Sequence, residues 1–142
     1  MEIRKLNLNK DIVRFERFVS FTLNEKNNNH FRYFNTRNVD VVYDHLVTLI
    51  IEKEDEIIGY AHLEFEKKYW FGIYIMPDFR SKGLGKRLWN FVKKFAIENR
   101  IYAVHLTVDN DNISAINMYE KLGFIEVAAS DTFKEFKYDI FE

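Results

Sequence analysis

The stretch from Ile75 to Lys86 has the residue types and spacing of a ligand-binding turn, since a strand-like run passes through two glycines into a helix-like run. Such a junction directs several unpaired backbone N–H groups and the positive end of a helix dipole toward one point. The glycines at 83 and 85 let the backbone approach a ligand without an intervening Cβ. Basic side chains in the same stretch add positive charge: Arg80, Lys82 and Lys86. The turn is therefore expected to bind phosphate.

Two other phosphate-binding patterns do not fit this turn. The mononucleotide P-loop requires Ser or Thr after Gly-Lys, whereas Arg87 follows Gly85 and Lys86 here. The dinucleotide fingerprint requires a third glycine three residues after the second, and Leu88 occupies that position. A tight strand-to-helix turn with solvated basic residues is the alternative that involves no ligand.

A second pattern lies between Val108 and Phe124. It contains Asn112, then Ala115 three residues on, Tyr119 four further on, and Gly-Phe after another four. This run and the Arg-Ser-Lys-Gly-Leu-Gly turn after Met-Pro resemble the closing signature and the coenzyme A loop of the GNAT superfamily of acyl-CoA-dependent N-acyltransferases. Two motifs in the expected order are more specific than either alone. The close resemblance covers about residues 56 to 127, and the order of elements extends it to the whole chain.

The resemblance implies acetyl-coenzyme A as the cosubstrate and no metal. In GNAT enzymes the strand before the loop pairs with the pantetheine arm, which implies Ile73, Ile75 and Met76. The loop's Arg and amides hold the pyrophosphate, which implies a coenzyme site at Arg80, Ser81, Lys82, Gly83, Leu84 and Gly85. Asn112 matches the family Asn that contacts the coenzyme near the pantetheine.

Tyr119 matches the family Tyr whose hydroxyl lies beside the thiol sulfur. When an amine attacks a thioester, negative charge leaves on sulfur, and a hydrogen-bond donor there stabilises and protonates it. The resemblance therefore implies Tyr119 as the catalytic general acid. From the residues alone, a core aromatic at helical spacing from Ala115 and Leu122 is the favoured role of Tyr119.

The base that takes the proton of the attacking amine has no motif of its own. GNAT enzymes that acetylate ribosomal protein N-termini place Glu twelve residues before the Tyr, where this chain has Thr107. Histone-type members use an acid on the strand before the loop, and Tyr69 to Ile75 contains none. The candidates are a water chain or one of three side chains, each of which has an ordinary structural role as its alternative: His62, Glu64 and His105.

Hydrophobic periodicity predicts the element order β-α-α-β-β-β-α-β-α-β-β. The first helix is expected to open at Asp11, to bury Ile12, Phe15, Val19 and Leu23, and to end by the Asn-rich stretch 24–29. The other predicted elements are strands at 2–8, 46–53, 56–67, 69–76, 101–108, 124–129 and 133–141, and helices at 39–45, 85–99 and from Asp111 or Asn112 to Gly123. The fold class is α/β (α+β), and the resemblance implies a GNAT fold: a mixed, mostly antiparallel sheet of six to seven strands with about four helices.

Composition bounds the remaining possibilities. With 142 residues, of which 47% are hydrophobic, the chain is expected to form a single domain over residues 1–142. The absence of cysteine excludes disulfides and an acyl-cysteine intermediate, and the four histidines lack close metal-ligand spacing. A net charge of −1 does not favour nucleic acid as a partner, and no apolar run is long enough for a membrane span. A cytoplasmic monomer or homodimer is expected.

The resemblance implies transfer of an acetyl group to the primary amine of a small molecule, either an amino sugar or an amino-acid-like metabolite. The segment His30 to Arg37, rich in aromatic residues and Arg, lies where similar enzymes shape the acceptor site; its alternative role is an ordered lid or packing plug. A protein Lys or N-terminal amine is the competing acceptor. A non-catalytic coenzyme A sensor and, less favoured, a nucleotide-binding domain are the competing functions.

Overall fold

The computed structural model describes residues 1–25 and 30–141. Its elements follow the predicted order, except that the region predicted as a second helix, 39–45, forms a 3-10 helix at Val39–Asp44. The strands of the described residues are β1 (Glu2–Lys5), β2 (Val47–Lys53), β3 (Glu56–Glu66), β4 (Lys68–Ile75), β5 (Ala103–Asp109), β6 (Ile125–Ala129) and β7 (Phe133–Asp139). The helices are α1 (Leu8–Asn24), α2 (Leu84–Glu98) and α3 (Ile113–Leu122), with further 3-10 helices at Tyr33–Asn35 and Pro77–Phe79.

The strands form one seven-stranded sheet in the order β1-β2-β3-β4-β5-β7-β6. All neighbours are antiparallel except β4 and β5, which confirms the mixed, mostly antiparallel sheet. The antiparallel strands β2 and β3 form a hairpin that turns through Glu54 and Asp55, whose φ angles of 51° and 65° suit a two-residue turn that follows the strand twist.

The parallel neighbours β4 and β5 share a single register pair, Trp70 with His105. In a strand, the N–H and C=O of one residue point to the same edge, and this edge alternates along the chain. The N–H of Met76 bonds to Ile58 on the β3 side, so the polar groups of Ile73 and Ile75 face the β5 side. Beyond Trp70, no β5 residue is in register with β4, so Ile73 and Ile75 have no partner on β5. The two strands therefore separate in the centre of the sheet, and this gap between them is called the fork.

The helices pack on opposite faces of the sheet. Residues of α2, with Tyr119 of α3, join the larger apolar core on one face, where Leu88, Trp89 and Val92 are fully or nearly fully buried. On the other face, α1 and the segment after it pack around Tyr60, which is buried against several rings. Both faces are thus covered, and the central strands are buried on each side.

Phe15 and Val19 are buried as predicted, but the predicted start of α1 and two of its four predicted buried positions were wrong. The helix begins at Leu8 rather than Asp11, and Ile12 and Leu23 are 39% and 50% exposed. The buried side carries Asp11 instead, because its carboxylate accepts hydrogen bonds from the Asn7 N–H and from the Arg4 and Arg14 guanidinium groups. Pairing with two arginines makes an almost fully buried carboxylate acceptable at a position where the sequence pattern suggests solvent.

Other differences are confined to element ends. The strand predicted over 2–8 ends at Lys5, because the chain turns there into the longer helix. The helix α1 ends at Asn24, the first residue of the Asn-rich stretch, as expected; residues 26–29 of that stretch lie outside the described residues. Within the described part of the chain, no helix combines the length and apolar character needed to cross a membrane.

Candidate functional site

The fork between β4 and β5 opens into a cleft of about 1000 Å³. Its walls are β4 from Trp70 to Ile75, His62 and Glu64 of β3, the end of β5, the loop before α2, one side of α3 and the segment that follows α1. Most of the predicted coenzyme and catalytic residues lie on these walls: Ile73, Ile75, Arg80, Ser81, Gly83, Leu84, Gly85, Asn112 and Tyr119. Lys82 and Met76 do not line the cleft; the Lys82 ammonium lies 5.7 Å from the Phe79 ring centroid, and Met76 packs between the two cores.

The loop before α2 has the backbone of an anion-binding turn. Ser81 and Gly83 have φ angles of 63° and 80°, and Gly83 precedes the first residue of α2 without a side-chain cap. A Cβ at Gly83 would contact nothing within 4 Å, so glycine is favoured there by conformation and not by space. The N–H groups of the first turn have no partner within the helix. They are therefore available to an anion at the cleft mouth.

The Arg80 side chain turns back along the end of β4. Its Nε donates to the Ile75 carbonyl at 2.7 Å, and its guanidinium lies over the Tyr74 ring at 5.2 Å. A terminal nitrogen is 3.8 Å from a Glu25 carboxylate oxygen, and the Tyr74 hydroxyl donates to the same carboxylate. Arg80 is thus held at the fork, where its positive charge lies between the loop and the end of α1.

Tyr119 lies in α3 with only 7% of its surface exposed, yet it lines the cleft. Its hydroxyl has no hydrogen-bond partner among the described residues, and burial raises its pKa above the ordinary value for tyrosine. The phenol therefore stays protonated and able to donate to a ligand atom. Asn112 precedes the helix, and its side-chain oxygen accepts from the Ala115 N–H at 3.4 Å, so Asn112 is the N-cap that the sequence allowed.

His62 and Glu64, two of the candidate bases, lie on one face of β3, and both line the cleft. The His62 ring is almost fully buried, and it packs directly on Gly72 of β4, where a Cβ would lie 2.4 Å from its Cε1. His62 Nε2 faces Glu64 Oε1 at 3.4 Å, and because a carboxylate only accepts, Nε2 carries the proton of the neutral ring. His62 Nδ1 then accepts from the Tyr60 hydroxyl. His62 therefore donates toward Glu64 and has no free ring nitrogen for a substrate.

Two further side chains that the sequence did not single out complete this cluster. The Tyr33 hydroxyl donates to Glu64 Oε2 at 2.9 Å and lies 2.7 Å from His45 Nε2. His45 Nδ1 is 2.8 Å from the Thr48 hydroxyl. Burial lowers the pKa of His45 to about 3 and also lowers that of His62, so both imidazoles are neutral. Although partial burial opposes it, the hydrogen bonds from His62 and Tyr33 hold the Glu64 pKa below its usual range.

The same three side chains, His45, His62 and Glu64, bring ligand atoms within 4.8 Å of one another, as a metal site would. A metal binds an imidazole nitrogen in the ring plane at about 2.0–2.1 Å. The two rings stack with centroids 4.3 Å apart and planes at 18°, so one ion cannot lie close to both nitrogens in both planes. The geometry therefore suits a hydrogen-bonded cluster better than a bridging ion.

His105, the third candidate base, lies outside the cleft lining. Its Nδ1 is 3.0 Å from Glu135 Oε2, which also accepts from Lys68 Nζ at 3.0 Å. The Trp70 ring lies 5.7 Å from the imidazole. His105 thus belongs to a bridge between β4, β5 and β7.

The segment from His30 to Arg37 lies on the cleft, where it was expected to shape an acceptor site. Arg32 donates to both Asp109 oxygens at 2.7 and 2.8 Å, and His30 Nδ1 lies 2.9 Å from the same carboxylate. The Phe31 ring packs 5.0 Å from that of Tyr74. These contacts fasten the segment to the ends of both strands of the fork.

Comparison with known sequences matches residues 13–124 to the Acetyltransferase (GNAT) family. Thialysine N-ε-acetyltransferase of Mus musculus is 27% identical over 90 residues, which are 58% of this chain and 53% of that protein. The catalytic subunit of the N-terminal acetyltransferase B complex of Arabidopsis thaliana is 32% identical over 78 residues, 50% of this chain and 45% of that protein. The chain spans about half the length of the curated relatives it matches.

Among solved structures, the fold is similar to that of a Salmonella typhimurium protein assigned as an acetyltransferase and solved with its cofactor acetyl-CoA. The TM-score is 0.78 at 17% sequence identity, and the alignment covers 100% of this chain and 95% of that chain. This likeness confirms the predicted fold.

Proposed function

The chain belongs to the GNAT acetyltransferase family, and on that premise we propose that it transfers an acetyl group from acetyl-CoA to the primary amine of a small molecule. The observation that carries the proposal is the cleft at the fork, which joins the anion-binding loop to the largely buried Tyr119. We further propose that residues 1–142 act as one domain in this reaction, since both motifs contribute walls to the same cleft.

In the proposed complex, the coenzyme lies along the edge of β4. The N–H and C=O groups of Ile73 and Ile75 face the fork. They can hydrogen-bond to the amides of a pantetheine arm in the way that they would to a neighbouring strand. The pyrophosphate would lie at the loop, beside the amides of 83–85 and the Arg80 guanidinium. Arg80 would then leave the Ile75 carbonyl, which it occupies in the free protein.

In the reaction, the amine nitrogen forms a bond to the thioester carbonyl carbon, and the carbon–sulfur bond breaks as the acetyl group is transferred. The Tyr119 hydroxyl would donate to the departing sulfur, because it is protonated, faces the cleft and has no other partner in the described part of the chain. The proton of the attacking amine would leave through water, because both ring nitrogens of His62 are engaged, His105 lies outside the cleft lining, and Glu64 is held as a weakly basic carboxylate.

A small-molecule acceptor is supported by the composition of the cleft wall, which places charged and aromatic side chains of the 30–37 segment around a confined space. The name of the mouse relative refers to a small-molecule amine and that of the Arabidopsis relative to protein N-termini. Both classes of acceptor therefore belong in a test.

The test is release of coenzyme A thiol from acetyl-CoA with amino sugars, amino acids, diamines and short peptides as acceptors. We expect turnover with small amines and a fall of about 10²-fold or more in kcat for Tyr119→Phe, with acetyl-CoA affinity largely retained. Equal turnover by Tyr119→Phe would remove Tyr119 from the mechanism. Turnover with peptides alone would favour the protein acceptor, and tight acetyl-CoA binding without turnover would favour a sensor.

A further inference from the structure

Tyr33 lies between two oppositely charged side chains on the wall of the cleft. Its hydroxyl donates to Glu64 Oε2 at 2.9 Å, and the Arg37 guanidinium carbon lies 4.2 Å from the centroid of its ring. All three residues line the cleft. One tyrosine thus fixes a carboxylate and a guanidinium on the same wall.

The Glu64 carboxylate is held by neutral groups alone. Tyr33 and His62 donate toward its two oxygens, and His45 Nε2 lies 3.7 Å away. Among residues 1–25 and 30–141, no Lys or Arg pairs with Glu64, and its side chain keeps 23% of its surface exposed. Glu64 therefore presents an uncompensated negative charge to a ligand.

The Arg37 guanidinium also lacks a carboxylate partner in the described part of the chain. One of its terminal nitrogens donates to the Tyr33 carbonyl at 2.9 Å, which orients the group and leaves other N–H donors for a ligand. The neighbouring Arg32 differs, because it makes a two-point contact with Asp109. Arg37 is thus the guanidinium of this segment that is suited to bind a ligand carboxylate.

We propose that Glu64 and Arg37 bind the ammonium and the carboxylate of an amino-acid head group, and that the amine which is acetylated is a second amine on the same molecule. A second amine is required because the Glu64 carboxylate keeps the bound amine protonated as an ammonium. An ammonium has no lone pair with which to attack a thioester, so another amine of the molecule must react. The inference rests on the proposed function and narrows its acceptor to diamino acids. Glu64 and Arg37 are positioning residues in this scheme.

The competing role for Glu64 is that of the base that deprotonates the reacting amine. A base acts on every acceptor, so its loss lowers kcat for all amines and changes the acidic limb of the pH profile. A head-group anchor acts only on acceptors that carry the second ammonium, and its loss raises KM for those. The two roles are therefore separable by kinetics.

The experiment compares three acceptors of one chain length: L-lysine, 1,5-diaminopentane, which lacks the carboxylate, and 6-aminohexanoate, which lacks the α-ammonium. The corresponding series from L-ornithine covers the shorter length. We expect kcat/KM for the better diamino acid to exceed that of each analogue at least tenfold. In Arg37→Gln, kcat/KM for the diamino acid should no longer exceed that for the diamine. In Glu64→Gln, it should no longer exceed that for the analogue without the α-ammonium. Both changes should arise from a higher KM for the diamino acid.

Controls come from an exposed ion pair that does not line the cleft, Arg17 with Glu56 at 3.0 Å. Arg17→Gln and Glu56→Gln should leave all the acceptor ratios unchanged, and the melting-temperature rise caused by acetyl-CoA should persist in every variant. Equal kcat/KM for all acceptors, or a uniform loss of kcat in Glu64→Gln, would overturn the inference while leaving the proposed function intact. A folded protein that binds acetyl-CoA and acetylates no amine would overturn both.

Discussion

Replacing Gly72 by Ala tests whether the His62 ring is as tightly enclosed as the structure indicates. A Cβ at Gly72 would lie 2.4, 2.9 and 3.0 Å from three atoms of that ring, whereas ordinary contacts begin near 3.4 Å. The ring has little freedom to move, because it is buried, bonded to Tyr60, stacked on the His45 ring and packed against the tilted Tyr33 ring. Overpacking of this kind costs about 1–3 kcal/mol.

For a chain of this length the entropy of unfolding is about 0.3 kcal/mol/K, so the melting temperature of Gly72→Ala should fall by about 3–10 °C. Thermal and urea unfolding measure this loss in the wild-type background and in a His62→Ala background, where the ring that causes the clash is absent. We expect the cost of Gly72→Ala to disappear in the second background. The same loss in both backgrounds would refute the reasoning.

A matched control is Gly59→Ala, which also lies in the centre of the sheet. There the nearest atom to the new Cβ would be the terminal Cδ1 of Ile51 at 2.9 Å, so the overlap is smaller than the 2.4 Å contact with the His62 ring at Gly72. Its cost should be smaller and should not change when His62 is removed.

Three further predictions concern single positions. Gly83→Val should abolish the rise in melting temperature that acetyl-CoA causes, because a β-branched residue resists the φ of 80° at the proposed pyrophosphate loop; an undiminished rise would contradict this. Asn112→Ala should lose about 1 kcal/mol of stability in urea unfolding through loss of the α3 cap, whereas Asn112→Asp, which keeps the acceptor oxygen, should lose little; equal losses would exclude capping. Burial lowers the pKa values of His45 and His62 below the unfolded value near 6.5, so the unfolded chain takes up protons first as the pH drops. The free energy of unfolding should therefore fall below about pH 6.5, by up to about 1.4 kcal/mol per pH unit for each imidazole. His45→Asn should reduce this slope in urea unfolding at pH 7.5 to 5.5, and an unchanged slope would show that His45 is not the group responsible.

Most of the fold could be predicted from local sequence patterns. The apolar face of α2 and the glycine at Gly123 that ends α3 agree with the structure, because each depends on neighbours within a few residues. The turn at Glu54 and Asp55 was likewise readable from two adjacent hairpin strands. The seven-stranded mixed sheet followed from the resemblance, whose motifs fixed the element order.

Two positions of α1, Ile12 and Leu23, were predicted to be buried and are exposed, while the inner side of the helix carries the charged Asp11. Asp11 is tolerated there through Arg4, on a neighbouring strand, and Arg14, which also contacts Glu52 from another strand. Periodicity counts apolar residues and does not recognise a carboxylate that is neutralised by two arginines, even though both lie within seven residues of Asp11.

The candidate site was foreseen only in part, for a similar reason. Strand alternation placed His62 and Glu64 on one face of β3, but it gave no indication that Tyr33, 31 residues away, donates to Glu64. His45 carried no signal at all, since its link to His62 is a ring contact across folded segments. The aromatic and Arg-rich composition of the 30–37 segment was the one available signal. It indicated that this segment belongs to the site, but it did not indicate which residues the segment contacts.

The proposed function depends on where acetyl-CoA binds, and a crystal structure of the protein with acetyl-CoA is the most direct measurement of that. We expect the pyrophosphate within hydrogen-bond distance of the backbone amides at 83–85, the pantetheine along Ile73 and Ile75, and the sulfur within hydrogen-bond distance of the Tyr119 hydroxyl. A coenzyme bound outside the fork of β4 and β5, or a sulfur remote from Tyr119, would contradict the account.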